Sequence, residues 1–298
     1  MKPFKDLAPQ TSINLRADCY GRIALSLSRL AAMTTRCELD VAYGEAPHRR
    51  LDVYLPDERR KGPFPVFVYL HGGGLMWGYK EWMGLNAPAI TNFPAIFISV
   101  EYQLAPEGPK SSDAIPDQLD DAAAAVAWIH QNVARYGGDP DRIHIGGHSA
   151  GAFLTSLLTV RPDVQRKHGI ADGVIKSCFP VSGGYDSRDP TIYGGEAKKA
   201  RVPAGSSMAD AISAITHVSE TKTPFFITWA ENDNRTVITG GPAMILALRG
   251  AGVRAEGHMF ELFDHFWVHL DQQRETNLWT RTLRSWMLGD PRTAPVAA

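Results

Sequence analysis

Short runs of β-branched and aromatic residues alternate with helical segments along most of this chain, and this alternation restricts its fold more than any other feature. The runs PVFVYLH (65–71) and AIFISVEY (95–102) are apolar throughout, which is typical of strands covered on both faces. The segment IPDQLDDAAAAVAWIHQNVARYGG (115–138) has a proline and acidic residues at its start, alanines in its middle and two glycines at its end, which indicates a helix. The repeated strand, helix, strand order predicts an α/β fold with a mostly parallel central sheet flanked by helices.

The same signals recur in the rest of the chain. Further strands are predicted at 51–55, in RIHIGG (142–147), and at 174–182, 224–230 and 254–263. Further helices are predicted at 12–33, directly after Ser149, and at 241–251 and 270–288. No repeat or low-complexity tract divides the chain, so we expect one domain over residues 1–298.

Two segments fit the alternation poorly. They are residues 1–39 and residues 185–222, the second of which is polar and glycine-rich at its start and weakly helical afterwards. Insertions at the strand ends of an α/β sheet often form lids over a pocket, so we expect a small cap built from both segments. A tolerated surface excursion is the alternative.

Composition excludes several classes of function. The 298 residues contain 31 Lys and Arg against 32 Asp and Glu, and no basic block stands out, so nucleic acid is not an expected partner. No apolar run approaches the roughly 20 residues of a membrane span, and the N-terminus has no apolar signal-peptide region. These features predict a cytoplasmic protein without a membrane span. Three widely spaced cysteines predict neither a disulfide framework nor a metal site.

One serine, Ser149, lies between small residues where a predicted strand gives way to a helix. It is the centre of Gly147-His148-Ser149-Ala150-Gly151, which has the form G-x-S-x-G. In that pattern a sharp turn holds the serine in a strained conformation, and side chains at the flanking positions would collide with neighbouring elements. The strand and helix signals on either side favour a nucleophile, whereas a serine that only caps the helix is the alternative.

A glycine run precedes this turn by one strand-helix-strand unit. His71-Gly72-Gly73-Gly74 comes directly after the PVFVYL strand, and its backbone N–H groups are free to point into a pocket. Such donors, together with the N–H of Ala150, can stabilise the oxyanion of a tetrahedral intermediate. The run lacks the G-x-G-x-x-G form, so no dinucleotide cofactor is expected.

An acid and a base are expected after the serine, in that order. Asp233 follows the predicted strand PFFITWA, at the edge of the sheet where active-site loops collect, and it is the predicted acid. His265 follows the last predicted strand and is the predicted base. Asp264 is a rival acid, but neighbours on an extended segment point in opposite directions. Glu231 is a weaker rival. The other histidines fit structural or surface positions better: His130, His144, His168, His217, His258 and His269.

Together these motifs resemble α/β-hydrolase-fold carboxylesterases of the hormone-sensitive lipase type. The matching stretches are HGGG (71–74), EYQLAPE (101–107), YGGDPDRIHIGGHSAG (136–151), ENDN (231–234) and FDHF (263–266). Two features, RRLDVYLP (49–56) and the histidine of GHSAG, are more similar to the neighbouring group of feruloyl-esterase-like and kynurenine-formamidase-like hydrolases. The resemblance covers roughly residues 40–288.

The resemblance implies an α/β-hydrolase fold and a role for each motif. Ser149 would be the nucleophile, His265 the general base and acid, and Asp233 the residue that orients the histidine. The N–H groups of Gly73, Gly74 and Ala150 would form the oxyanion hole. No metal or cofactor is implied, and the substrate would be a small-molecule ester or amide.

Aromatic residues follow the glycine run, namely Trp77, Tyr79 and Trp82. They are candidates for a substrate pocket that accepts a bulky apolar group. The alternative is that they only pack the loop onto the cap.

Three functions therefore remain open. The first is a carboxylesterase that acts on small to medium soluble esters through an acyl-enzyme intermediate. The second is an arylformamidase or related amidase with a substrate like N-formylkynurenine. The third is a non-catalytic small-molecule-binding protein on a hydrolase fold. A homo-oligomer is compatible with each of them.

Overall fold

An eight-stranded sheet forms the centre of the protein. The computed structural model describes residues 10–107, 111–188 and 207–297, with residues 4 and 7 as single positions. The strands are β1 (Cys37–Ala42), β2 (Arg50–Tyr54), β3 (Phe64–Leu70), β4 (Ile96–Val100), β5 (Gly138–His148), β6 (Ile175–Val181), β7 (Phe225–Asn232) and β8 (Ala255–Asp264). Their order in the sheet is β1-β2-β4-β3-β5-β6-β7-β8.

Most strand pairs are parallel. β1 pairs with β2, and β2 with β4, in antiparallel fashion, whereas every pair from β4 to β8 is parallel. The carboxyl ends of β5, β7 and β8 therefore lie at one edge of the sheet, where a parallel α/β sheet gathers its functional loops. The predicted mostly parallel α/β architecture is confirmed.

Helices cover both faces of the sheet. They are α1 (Leu15–Thr34), α2 (Ala87–Asn92), α3 (Ile115–Asn132), α4 (Ala150–Val160), α5 (Pro162–Lys167), α6 (Ser207–Ala211), α7 (Arg235–Gly250), α8 (Trp267–Leu270) and α9 (Leu278–Leu288). Side chains alternate along β3, so that Val66 and Val68 join the core beneath α3, α4 and α7, whereas Phe67 and Tyr69 join the core beneath α1, α2 and α9. Burial on both faces explains why these strands are apolar throughout.

Three of the differences between the observed elements and the sequence prediction have a clear local cause. Residues 37–39, assigned above to the cap, begin β1, an edge strand whose polar alternation hid it. The helix predicted at 241–251 begins earlier, at Arg235, because the side chain of Asn234 accepts a hydrogen bond from the N–H of Val237 and caps it. The helix predicted at 270–288 is interrupted, and α9 begins only after Asn277, which caps it in the same way.

The proposed cap segments are described only in part. α1 packs on the 3-10 helix Lys80–Asn86, beside the glycine loop. In the second segment residues 189–206 lie outside the described residues. Its described ends pack on the body of the protein, since Tyr185 and Ile212 are buried in the core that contains α4 and α7. A cap role for either segment stays a prediction.

Candidate active site

A sharp turn between β5 and α4 presents Ser149. Its backbone has φ 55° and ψ −113°, which is a strained conformation for a residue with a side chain. A Cβ at Gly147 would lie 2.3 Å from the carbonyl carbon of Gly151, and a Cβ at Gly151 would lie 2.0 Å from the carbonyl oxygen of Leu70. Both flanking positions therefore exclude any side chain, as the sequence predicts.

The close contact at Gly151 predicts that a larger residue there destabilises the fold. Replacing Gly151 by alanine forces the α4 backbone away from the end of β3, because the obstructing atoms are rigid backbone atoms. We expect the free energy of unfolding to fall by about 3 kcal/mol or more in urea titrations. Gly250→Ala is the matched control, since a Cβ there meets no atom within 4 Å. Equal stability of the two variants would contradict the steric argument.

The structure brings together Ser149, His265 and Asp233 from the ends of three strands. The Oγ of Ser149 lies 2.9 Å from Nε2 of His265, and Nδ1 of His265 lies 2.6 Å from Oδ1 of Asp233. A carboxylate can only accept, so Nδ1–H donates to Asp233 and Nε2 is left to accept the proton of the serine hydroxyl. The histidine therefore bridges an acid and a hydroxyl, which is the geometry of a base that activates a nucleophile.

Asp233 is held as a buried carboxylate. Burial of its side chain acts to raise its pKa, but hydrogen bonds from His265, the hydroxyl of Ser182 and the N–H of Asn234 outweigh burial and lower the pKa. The Oγ of Ser182 donates to Oδ2 at 2.5 Å, on the side opposite the histidine. Both carboxylate oxygens are thus engaged, which fixes the plane of the group that orients His265.

The two rival acids have other partners. Asp264 pairs with Arg16 of α1 and accepts from the N–H groups of Phe266 and Trp267 at 3.0 and 2.7 Å. Glu231 accepts from the N–H of Leu262 at 2.7 Å. Each carboxylate therefore stabilises the backbone of the segment that carries His265.

The glycine loop lies directly beside Ser149. A Cβ at Gly72 would lie 3.0 Å from the Cβ of Ser149. Gly73 and Gly74 follow with φ +116° and +63°, and a Cβ at Gly73 would lie only 1.9 Å from the carbonyl oxygen of Trp77. Ala150 is the first residue of α4, so its N–H has no acceptor within the helix. The three predicted oxyanion-hole residues thus belong to the two backbone segments that flank the serine.

Contacts from two directions hold the glycine loop. The side chain of Gln10 makes two hydrogen bonds to the backbone of Gly78. It donates to the carbonyl oxygen at 2.8 Å and accepts from the N–H at 2.7 Å. On the other side, Nε2 of His71 lies 2.7 Å from Glu101, and Tyr102 stacks on the His71 ring at 4.4 Å. The loop is therefore tied both to the N-terminal segment and to the end of β4.

The three aromatic residues predicted to line a substrate pocket face the N-terminal segment. Trp77 donates to the hydroxyl of Thr11 at 2.9 Å, and Trp82 packs against Gly21 of α1. Together with Tyr79 they line a cavity of about 360 Å³ with residues of 10–25, and neither Ser149 nor His265 borders that cavity. These contacts favour the alternative given above, in which the three aromatic residues only pack the loop onto the N-terminal segment. A role in substrate binding stays a prediction.

His148 is a site residue that sequence reasoning did not assign. It is buried, and its Nε2–H donates to the backbone carbonyl of His265 at 2.7 Å. Its ring lies 5.0 Å from the ring of His265 and stacks at 5.1 Å on His269. Burial first, and then the neighbouring histidines, lower its pKa well below the usual value, so His148 is a neutral ring that anchors the loop of His265.

Three buried histidines predict how stability depends on pH. Burial lowers the pKa of His144 and His269 to about 3 and that of His148 well below its ordinary value. The unfolded chain therefore binds protons below pH about 6.5 that the folded chain does not bind. The contribution of these neutral rings to the free energy of unfolding is fully present above that pH and is lost progressively as the pH falls towards 3.

We expect the free energy of unfolding in urea to be about 4 kcal/mol lower at pH near 5.5 than at pH near 7.5, because each of the three histidines contributes about 1.4 kcal/mol per pH unit below the pKa of the unfolded chain. His130→Gln, near the end of α3, is the control and should leave this dependence unchanged. Equal free energies at the two pH values would show that the buried rings do not remain neutral.

Neither a cluster of metal-binding side chains nor a membrane-spanning helix is present in the described part of the chain. Within 10–107, 111–188 and 207–297 no three His, Cys, Asp or Glu side chains are grouped so that they could hold a metal ion. None of the helices in these segments is long and apolar enough to cross a membrane.

The sheet order, the strained serine turn and the strand-end positions of Ser149, Asp233 and His265 define an α/β-hydrolase fold. Solved structures with the same fold include the carboxylesterase EstE1 from a metagenomic library, with a TM-score of 0.70 and 21% identity over 93% of this chain and 99% of that one. A second is the hyperthermophilic esterase from Pyrobaculum calidifontis, with a TM-score of 0.67 and 23% identity over 96% of this chain and 95% of that one.

Sequence comparisons show similarity to carboxylesterases. Residues 50–184 match the model of the Carboxylesterase family. A probable isoprenylcysteine alpha-carbonyl methylesterase of Arabidopsis thaliana is 35% identical over 49% of this chain and 30% of its own length. The probable carboxylic ester hydrolase LipM of Mycobacterium tuberculosis is 29% identical over 70% of this chain and 51% of its own length. The resemblance to α/β-hydrolase-fold carboxylesterases is thereby confirmed, although the chain spans only about a third to a half of these relatives.

Proposed function

We propose that this chain is a serine hydrolase that cleaves carboxylic esters of small to medium soluble substrates through an acyl-enzyme intermediate. The observation that carries the proposal is the pair of hydrogen bonds, 2.9 Å and 2.6 Å, that joins Ser149 to His265 and His265 to Asp233. The strained backbone of Ser149 supports it, because strain of this kind persists where the surrounding fold maintains it for function. The names of the relatives also favour an ester substrate.

Each proposed step uses groups of this chain. His265 takes the proton of Ser149 as the hydroxyl attacks the ester carbonyl, and Asp233 stabilises the imidazolium that forms. The N–H groups of Gly73, Gly74 and Ala150 would bind the oxyanion. His265 then gives its proton to the leaving alcohol. Water, activated by the same histidine, attacks the acyl-enzyme and releases the acid, so the cycle needs no metal or cofactor.

An arylformamidase or related amidase is the second candidate. His148 favours this candidate. It is the histidine of the GHSAG motif, and a histidine at that position is the feature in which the chain resembles the kynurenine-formamidase-like group. The same triad would serve either reaction, and only the leaving group differs. A non-catalytic binding protein is the rival of another class, and the hydrogen-bonded triad argues against it.

Turnover of a small set of substrates tests the proposal. p-Nitrophenyl acetate, butyrate and octanoate and N-formylkynurenine would be compared by kcat/KM. We expect the short p-nitrophenyl esters to be hydrolysed fastest. Faster turnover of N-formylkynurenine would favour the amidase, and no turnover of any of these compounds by folded protein would favour a binding protein. A cytoplasmic location and assembly into homo-oligomers remain predictions from the sequence.

A further inference from the structure

Most buried residues of the N-terminal helix α1 are small, whereas several of its large apolar residues are exposed. Its buried residues are Ala17, Tyr20, Gly21, Ala24, Ser28 and Ala31. In contrast, Leu15 is 78% exposed, Leu30 59% and Met33 72%. An amphipathic helix that only packs on its own domain has the opposite arrangement, with large aliphatic side chains towards the core and polar ones towards water. Within residues 10–107, 111–188 and 207–297, the outer face of α1 therefore carries large apolar side chains that stay largely exposed.

Six exposed residues of α1 form one continuous stripe. The stripe consists of Leu15, Cys19, Ile23, Ser26, Leu30 and Met33, all of which are exposed. Successive members are three or four residues apart, which places them above one another on a single helix face. The stripe runs along the whole helix of 20 residues, whose length is about 30 Å. Such a patch usually marks an interaction surface.

The charges beside the stripe are basic. Arg22 and Arg29 are exposed and lie along one side of it, and Arg16 is exposed at its N-terminal end. Within the described residues, Arg22 and Arg29 form no ion pair, whereas Arg16 pairs with Asp264. The one acidic residue of the helix, Asp18, is half-buried and hydrogen-bonded to Ser12. The outer face therefore combines apolar area with positive charge.

We propose that the outer face of α1 binds an anionic lipid surface, with the helix lying parallel to the plane of the headgroups. Exposed aliphatic side chains flanked by arginines on one face are the features that hold a helix in such an interface. A second copy of the chain is a poorer occupant, because packing two of these faces together would bring the arginines of both copies into apposition. An anionic lipid surface offers negative headgroups to the arginines and an apolar layer to the exposed aliphatic side chains.

The loop that carries the proposed base lies beside the start of α1. Arg16 pairs with Asp264, the neighbour of His265, and Tyr20 stacks on Phe266 at 5.0 Å. Trp267 of the same loop is 46% exposed. The start of α1 and the loop of the proposed base therefore form one continuous part of the protein surface.

Vesicle flotation tests the proposal. Wild-type protein would be mixed with vesicles of phosphatidylcholine alone, or of equal parts phosphatidylcholine and phosphatidylglycerol. We expect binding to the anionic vesicles that weakens as salt is added, and little binding to the neutral ones. The Ser149→Ala variant should bind equally well, so the result does not depend on hydrolysis or on the proposed function.

Two pairs of substitutions separate the apolar and basic contributions. Leu30→Gln with Met33→Gln should weaken binding at least about tenfold, because two exposed side chains would no longer enter the interface. Arg22→Gln with Arg29→Gln should weaken binding to the anionic vesicles roughly thirtyfold. The matched controls are Leu246→Gln on α7, where the leucine is 69% exposed, and Arg281→Gln with Arg284→Gln on α9. Thermal unfolding would show that all variants fold.

Three results would overturn the proposal. The first is that wild-type protein does not bind anionic vesicles. The second is that the α1 variants bind as well as the controls on α7 and α9. The third is a dimer in sedimentation without lipid that Leu30→Gln with Met33→Gln converts to a monomer, because a second copy would then be the occupant of the face.

Discussion

Replacing Ser149 by alanine is expected to lower kcat/KM for p-nitrophenyl butyrate by about 10⁴-fold to 10⁶-fold. The hydroxyl is the only group of the proposed triad that forms a bond to the substrate, and alanine at this position leaves His265 without a hydroxyl group to deprotonate. Steady-state hydrolysis, measured with enough enzyme to detect the residual rate, gives the ratio. The residual rate should exceed that in water, because the oxyanion donors and the binding surface remain.

Ser156→Ala is the matched control for this substitution. Ser156 is buried on α4, seven residues further along the chain, and the Ser156→Ala variant should keep most of the activity. If Ser149→Ala retained more than about a tenth of the wild-type rate while Ser156→Ala was unaffected, the serine would not be the nucleophile. The proposed acyl-enzyme would then be wrong.

The second large effect is expected at Asp233. Asp233→Asn preserves the size of the side chain but removes its charge, and its amide can donate to Nδ1 of His265. The histidine would then adopt the other tautomer, with the proton on Nε2, and could no longer accept the proton of Ser149. We expect kcat to fall by about 10⁴-fold at neutral pH, with the protein still folded.

The two rival carboxylates provide the controls. Asp264→Asn and Glu231→Gln should each lower kcat by less than about tenfold, since these side chains act on the backbone near His265 and not on its ring. A loss at Asp264 or Glu231 as large as that at Asp233 would contradict the assignment of the acid. Measuring all three variants under the same conditions makes the comparison direct.

Local patterns explain why the strands and the serine turn could be predicted from the sequence. The conformation of Ser149 depends on glycines two residues away on either side, and β3 and β4 are apolar because both of their faces are covered. These are short-range signals. The acid and the base could be proposed from the sequence because both follow predicted strands, and the carboxyl ends of parallel strands lie at the same edge of the sheet.

The residues that support the site could not be predicted because their partners are distant in sequence. Ser182 donates to Asp233 across 51 positions, and His148 donates to the carbonyl of His265 across 117. Gln10 reaches Gly78 across 68. No spacing or periodicity encodes such contacts. β1 was missed for a different reason, since an edge strand exposed to water has no apolar run to mark it.

The positions of the three triad residues also have a consequence for folding. Ser149 belongs to the middle of the sheet, whereas Asp233 and His265 follow β7 and β8 at its far edge, and 116 residues separate the serine from its base. Contacts of such long sequence separation form late, because the entropy of closing a long loop must be overcome first. A partly folded chain would hold the serine turn without its partners. The proposed esterase activity would therefore appear only with the last strand pairing, and its recovery during refolding would report completion of the sheet.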